Sequence, residues 1–243
     1  MDIDYAELYP RLFAHHWWWR ARETVILAEL ARLRPDGEWG NILDVGCGDG
    51  LFLPTLSKMG HVEGVEPYGA ESVSATDTDF TIHRVPFDSR FDPGKRFDLI
   101  LMLDVLEHFD QPAQALQAAE RLLEPGGTLF ITVPAYKLLW THHDVLNHHH
   151  TRYTRRTLER EIAHTDLQVT HRRYFFHWIF PVRILLRLLE IATGSNTGPP
   201  RIPSPWINRT IIGVSRFEYR LLHRLQIPFG SSLLAVTVKP KVG

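Results

Sequence analysis

The period at which apolar residues recur changes several times along the chain, and each change predicts an element. Between residues 16 and 34, Val25, Ile26, Leu30 and Leu33 fall on one helical face, and Pro35-Asp36-Gly37 ends the run. Asn41 to Val45 predicts a short strand that enters Gly46-Cys47-Gly48-Asp49-Gly50, followed by a helix to about Met59. His61 to Glu66 reads as a second strand ended by Pro67, and a weakly marked third lies near Phe80 to His83. Phe97 to Leu103 is apolar apart from Asp98, the pattern of a strand covered on both faces. Pro112 opens a helix to about Glu124, and Pro125-Gly126-Gly127 turns into a strand from Thr128 to Val133. Strand and helix alternating in this way predict parallel βαβ units and a doubly wound α/β sheet.

After Val133 the rhythm breaks. A polar, His-rich connection leads to a helix near Arg155 to Ala163 and a strand from Leu167 to about Phe175, and the last clear strand, Leu233 to Val238, lies far downstream. The roughly 55 residues between carry apolar helical stretches around a Pro/Gly/Ser-rich loop at Gly194 to Pro205, and an insertion of that size inside one domain reads as a lid. We therefore expect one domain over 1–243. It comprises a helical cap (1–39), a core (40–135), a loop and helix (136–176), a helical lid (177–230) and the last strand (231–240).

Composition changes this picture little. The 243 residues, 44% hydrophobic and 23% charged, suffice for one full-size domain. The lone Cys47 excludes a disulfide framework. Charges throughout the first 30 residues argue against a signal-peptide core, and His177, Arg183, Arg187 and Glu190 interrupt the most apolar stretch, Tyr174 to Ile191, so a soluble, cytoplasmic protein is expected.

Charge distribution is more informative. Residues 1–150 hold 12 Lys+Arg against 23 Asp+Glu, a net of −11; residues 151–243 hold 15 against 5, a net of +10. Either the two halves attract each other, or the basic half faces something anionic, a phosphorylated substrate or a lipid surface. The basic residues match no nucleic-acid recognition module, so no nucleic-acid partner is expected.

The glycine loop is the first chemical signal. Glycines between a strand and a helix let the backbone turn sharply and approach a ligand closely. Glu66 ends the second strand, where a carboxylate can accept hydrogen bonds from ribose hydroxyls. The third glycine falls at 50, which departs from the dinucleotide fingerprint of a nicotinamide dehydrogenase, and no Lys follows as in a P-loop.

Asp44-Val-Gly-Cys-Gly-Asp-Gly50, Val65-Glu66, Phe97 through Asp104 to His108, and Leu123-Glu-Pro-Gly-Gly-Thr-Leu129 together resemble the class I S-adenosylmethionine-dependent methyltransferases over about residues 40–135. The resemblance implies a seven-stranded Rossmann-like sheet with the last strand antiparallel. It implies S-adenosyl-L-methionine as cofactor and S-adenosyl-L-homocysteine as product. Asp44, Gly46 and Gly48, with Cys47 in the same loop, would hold the amino acid end of the cofactor, Glu66 the ribose and Asp88 the adenine, while Leu103 and Asp104 would line it. His16-Trp-Trp-Trp-Arg20, Pro134-Ala-Tyr136, Leu139-Trp140, His143-Asp144, His148-His149 and Arg152-Tyr153-Thr154 further resemble a bacterial subgroup associated with cell-surface glycan or lipid metabolism.

In a doubly wound sheet the acceptor lies beyond the carboxyl ends of the strands, which directs attention to Asp104–His108 and Pro134–Tyr153. His143 or His149 is the candidate general base, with Asp144 orienting an imidazole; the competing reading is a polar loop whose histidines cap helices. His108, Tyr136, His148, Arg152, Tyr153 and Trp17 are the further acceptor-side candidates. Trp17-Trp18-Trp19 with Tyr5 and Tyr9 reads either as a pocket wall or as core. Asp144 and His148, spaced i, i+4, could lie on one helical face as ligands of a divalent metal with His143 or His149, but no closed zinc motif matches and no metal ligand set is assigned. The expected activity is O-methylation of a small-molecule or lipid- or phosphate-linked glycan-type acceptor, with peripheral contact at the inner membrane face. A non-catalytic S-adenosylmethionine-binding partner or regulatory protein would carry the same loop.

Overall fold

A computed structural model describes residues 10–34, 38–67, 80–194 and 201–241. Tyr5, Tyr9, Pro35-Asp36-Gly37 and residues 195–200 of the Gly194–Pro205 loop lie outside them. The chain divides into two compact units: the described parts of Met1–Gly37, Ala135–His149 and Tyr174–Ser232, and those of Glu38–Pro134, His150–Arg173 and Leu233–Gly243.

Seven strands form one sheet: β1 (Asn41–Val45), β2 (His61–Val65), β3 (Ile82–His83), β4 (Phe97–Leu103), β5 (Leu123–Pro134), β6 (Gln168–Phe175) and β7 (Ser232–Val238), in the order β3-β2-β1-β4-β5-β7-β6. The expected class is observed. β1 pairs in parallel with β2 on one side and β4 on the other, and β4 pairs in parallel with β5. A strand with parallel neighbours on both edges has both faces covered by crossover connections, which is why Leu99 to Met102 are all fully buried. Asp98, the one polar residue of that run, accepts a hydrogen bond from the Asn41 amide at 2.8 Å and so ties the start of β1 to β4. β7 is the antiparallel member. The Gly126 amide donates to the Lys239 carbonyl and the Lys239 amide to the Gly127 carbonyl, each at 2.9 Å.

The helices, in chain order, are α1 (Trp17–Leu33), α2 (Leu53–Leu56), α3 (Pro112–Leu122), α4 (His142–Leu146), α5 (Arg155–Ile162), α6 (Ile179–Thr193) and α7 (Pro205–Leu222). α2 is a single turn where the sequence predicts helix to about Met59. β5 begins at Leu123 rather than Thr128, because Leu123 already pairs with Phe97 ahead of a shift in register. α3 starts on its proline, whose missing N–H costs nothing in a first turn, and buries Ala115, Leu116, Ala119 and Leu122 on one face. In the first unit α1 and α7 are joined by the Tyr219 hydroxyl, which donates to the buried Glu29 carboxylate and accepts from Arg32, each at 2.9 Å.

Candidate active site

The chain runs outward from β1 to β3 and then returns to β4 beside β1, so the sheet switches direction between β1 and β4. A crevice opens at the carboxyl ends of strands at such a switch. The glycine loop leaves β1 there. Gly46 takes φ +73° and its amide donates to the Val65 carbonyl at 2.8 Å; any Cβ on it would fall 1.9 Å from Val105 Cγ2. Gly48 takes φ +56°, yet the direction of its missing Cβ has no atom within 4 Å. One glycine is needed for packing and the other faces open space, as a backbone that must approach a ligand requires.

Glu66 reaches back from the end of β2, and its carboxylate accepts from the Gly48 amide at 3.2 Å. Arg84 donates to the Gly48 carbonyl at 3.1 Å, a contact no sequence signal marked. Asp44 is buried below the loop. Burial pushes the Cys47 thiol far above its ordinary range, and the nearby Asp44 and Glu66 carboxylates add to the shift, so Cys47 is a neutral packing group. Leu103 ends β4, and Asp104 follows with φ +55°; its amide donates to the Thr132 carbonyl at 2.8 Å and its carboxylate accepts from the Thr132 hydroxyl at 3.2 Å. Thr132, the β5 residue that holds Asp104, was likewise not singled out by sequence. Asp88 lies half-exposed in the bend that follows β3. Its carboxylate accepts from the Arg90 side chain and amide, and these bonds hold it below the usual carboxylate range.

An open Cβ direction above the loop and a carboxylate beside it fit an S-adenosylmethionine cradle. Asp44, Gly46, Cys47 and Gly48 would take its amino acid end, Glu66 its ribose, and Leu103 and Asp104 its flank.

The same unit contains His108, Arg152 and Tyr153. Leu106–His108 is one turn of 3₁₀ helix with Glu107 fully buried and His108 exposed. The Glu107 carbonyl accepts from the His150 amide at 2.8 Å and the Leu106 carbonyl from the Tyr153 hydroxyl at 3.4 Å. Arg152 and Tyr153 are buried, and desolvation, with Glu107 second, pushes the Tyr153 phenol far up. Tyr153 therefore acts as a neutral hydrogen-bonding group that ties this loop down.

In the other unit, Tyr136 takes φ +55°, stacks on Tyr174 with ring centres 5.0 Å apart, and donates its hydroxyl to the Pro228 carbonyl. Thr141 and Asp144 form a capping box at the start of α4, with the Thr141 amide donating to Asp144 Oδ2 at 2.8 Å. The other oxygen of that fully buried carboxylate lies 2.8 Å from His149 Nδ1. His143 pairs elsewhere, its Nε2 lying 3.1 Å from the Asn147 side-chain amide. Of the two histidines the sequence left open, His149 is the one on Asp144.

The helical metal pair is not formed. α4 ends at Leu146, and the exposed His148 takes φ +55° beyond it, so Asp144 and His148 share no helical face. The tryptophans interlock within this unit. Trp17 lies 5.9 Å from Trp178 and its amide donates to Asn208, while His16 caps α1 by accepting from the Trp18 amide at 3.1 Å. Burial lowers the His16 pKa to about 4, so it is a neutral acceptor, a role its sequence context did not reveal.

A family model described as a methyltransferase domain matches residues 18–172. A ubiquinone biosynthesis O-methyltransferase of Pseudomonas aeruginosa is 30% identical over 151 residues, covering 54% of this chain and 63% of that protein. One from Colwellia psychrerythraea is 33% identical over 100 residues, covering 37% and 40%. The matches thus span less than two thirds of these relatives' length. The crystal structure of the N-methyltransferase NodS from Bradyrhizobium japonicum with S-adenosyl-L-homocysteine superposes with a TM-score of 0.55 at 14% identity, covering 95% of this chain and 91% of that one. With its strand order, antiparallel seventh strand and glycine loop at the switch point, the chain belongs to the methyltransferase-domain family of class I S-adenosylmethionine-dependent methyltransferases.

Proposed function

We propose that the protein is an S-adenosylmethionine-dependent methyltransferase that methylates a hydroxyl oxygen of a small-molecule or lipid- or phosphate-linked glycan-type acceptor. The observation that carries this reading is Glu66 beside the open Gly48 backbone at the switch point of the sheet. The named activity of the P. aeruginosa relative supports transfer to oxygen. The basic balance of residues 151–243 supports an acceptor with anionic character and a cytoplasmic enzyme working peripherally at the inner membrane face. Among the described residues no helix is long and apolar enough to cross a membrane.

Bound S-adenosylmethionine supplies an electrophilic methyl carbon on a sulfonium. The chain's own residues have two tasks, to position that donor and to manage the acceptor's proton. Glu66 and the Gly46–Gly48 backbone serve the first. Asp144 and His149 serve the second: with Nδ1–H directed at the Asp144 carboxylate, Nε2 is the nitrogen that accepts the hydroxyl proton, and buried Asp144 stabilises the imidazolium that results. His108, Tyr136, His148, Arg152, Tyr153 and Trp17 belong to acceptor positioning in this reading, and Asp88 to the adenine end.

Calorimetric titration with S-adenosyl-L-homocysteine tests the donor half. Glu66→Ala removes a charge-assisted hydrogen-bond acceptor, worth about 1.5–3 kcal/mol, so its affinity should fall roughly tenfold to a hundredfold. A wild-type protein that binds neither the donor nor its product overturns the proposal.

A further inference from the structure

Helix α6 is inside out. Its charged stripe, Arg183, Arg187 and Glu190, is half-buried, while Leu185, Leu188 and Ile191 are 58–65% exposed. In water a surface helix shows the opposite arrangement. Helix α7 in the same unit repeats the feature on one stripe. Ser215, Glu218 and Tyr219 are buried on its inner side, while Trp206, Phe217 and Leu221 are 63–70% exposed on the other. The Trp178 amide, at the head of α6, donates to Glu218 on α7 at 2.9 Å, and the Trp178 indole donates to Ser215 at 3.2 Å. Large apolar side chains exposed on both helices of one unit mark an interaction surface.

Charge decides what covers it. Residues 174–232 contain seven arginines, no lysine, no aspartate and two glutamates. Both glutamates are withdrawn from the surface, Glu190 by Arg187 and Glu218 by the Trp178 amide. Arg201, Arg209, Arg220 and Arg224 are exposed, so the charge this region offers to a partner is cationic. A second copy on a two-fold axis would bring this arginine-bearing patch against the same patch, with both of its glutamates already engaged. Neither helix can span a bilayer. A helix with a broad apolar arc and arginines beside it, too short to cross, lies in the headgroup layer with the apolar residues in the acyl boundary and the guanidinium groups on phosphates.

We infer that α6 and α7 form a monotopic docking face for an anionic phospholipid surface. The inference rests on the membrane-side part of the proposed function and is independent of the donor site and of which acceptor atom is methylated.

The test is flotation of the full chain with phosphatidylcholine vesicles and with vesicles containing phosphatidylglycerol, at low and high salt, alongside S-adenosyl-L-homocysteine titration of the same preparations. The expected result is binding to the anionic vesicles, weakened by salt and on neutral vesicles. Leu188→Glu and Phe217→Glu should each weaken it about tenfold or more, and Arg209→Ala about fivefold, with product affinity unchanged. Absence of binding to anionic vesicles, or binding that ignores Leu188→Glu and Phe217→Glu, overturns the inference. So does a dimer in solution that Phe217→Glu dissociates, since a second copy would then be the occupant. Vesicle binding by a protein that takes up no product would instead remove the methyltransferase reading and leave the docking face standing.

Discussion

Asp144 and His149 lie five residues apart, and the fully buried carboxylate of one holds Nδ1 of the other at 2.8 Å. The second oxygen of Asp144 is fixed by the Thr141 amide, so the carboxylate cannot rotate away. A buried carboxylate held on Nδ1 orients the imidazole and stabilises its protonated form.

His149→Ala should lower turnover with a competent acceptor by about 10²–10⁴-fold, the usual contribution of general acid–base catalysis. Asp144→Asn should lower it substantially as well, while product affinity stays unchanged in both. His143→Ala should have a far smaller effect. Steady-state kinetics beside calorimetry checks this, and equal losses for His143→Ala and His149→Ala would remove the assignment.

The two glycines of the loop should respond differently to alanine. Gly46→Ala places a methyl 1.9 Å from Val105 Cγ2 and should unfold or strongly destabilise the protein. Gly48→Ala meets no atom and carries only the strain of its φ, about 1–2 kcal/mol, which at this length lowers Tm by roughly 2–8 °C. It should nevertheless lose S-adenosyl-L-homocysteine, because its methyl occupies the space the ligand needs. Thermal melts and titration of the pair separate packing from binding.

His16 should make stability depend on pH. Its folded pKa is depressed from 6.5 to about 4, so between those values the unfolded state binds more protons. The His16 contribution is fully present above about pH 6.5 and is lost as pH falls towards 4. His16→Asn keeps a cap acceptor without a titrating ring. Its Tm should therefore drop less than the wild-type Tm between pH 7.5 and 5, and parallel drops would refute the role.

Tyr219→Phe removes the hydroxyl that bridges Glu29 and Arg32. Deleting one donor to a buried carboxylate should cost about 1–3 kcal/mol, read as a lower denaturant midpoint. A variant as stable as wild type would mean that the α1–α7 junction rests on apolar packing alone.

Much of the fold was legible because it is written in local terms. The run Phe97–Leu103 is apolar on both faces whatever surrounds it, and a backbone that must adopt φ +73° and +56° selects glycine at 46 and 48 before any partner is known. β3 is faint in the sequence because, among the described residues, its pairing with β2 is two residues long, Ile82 and His83. Residues whose role is a contact across the sequence left no trace in one dimension: Arg84 on Gly48, Thr132 on Asp104, and Val105 above Gly46.

The order of strands and helices along the chain, the glycine loop at the end of β1 and the acidic residue at the end of β2 are readable in one dimension, because side-chain period and backbone sterics act between near neighbours. Tertiary structure alone decided which histidine Asp144 holds. α4 stops at Leu146 and His148 turns at φ +55°, which replaces the predicted helical spacing with a turn that returns His149 to the carboxylate. It likewise decided that α6 shows its leucines and half-buries its arginines, since periodicity marks two faces on a helix and only packing selects the one that meets the protein.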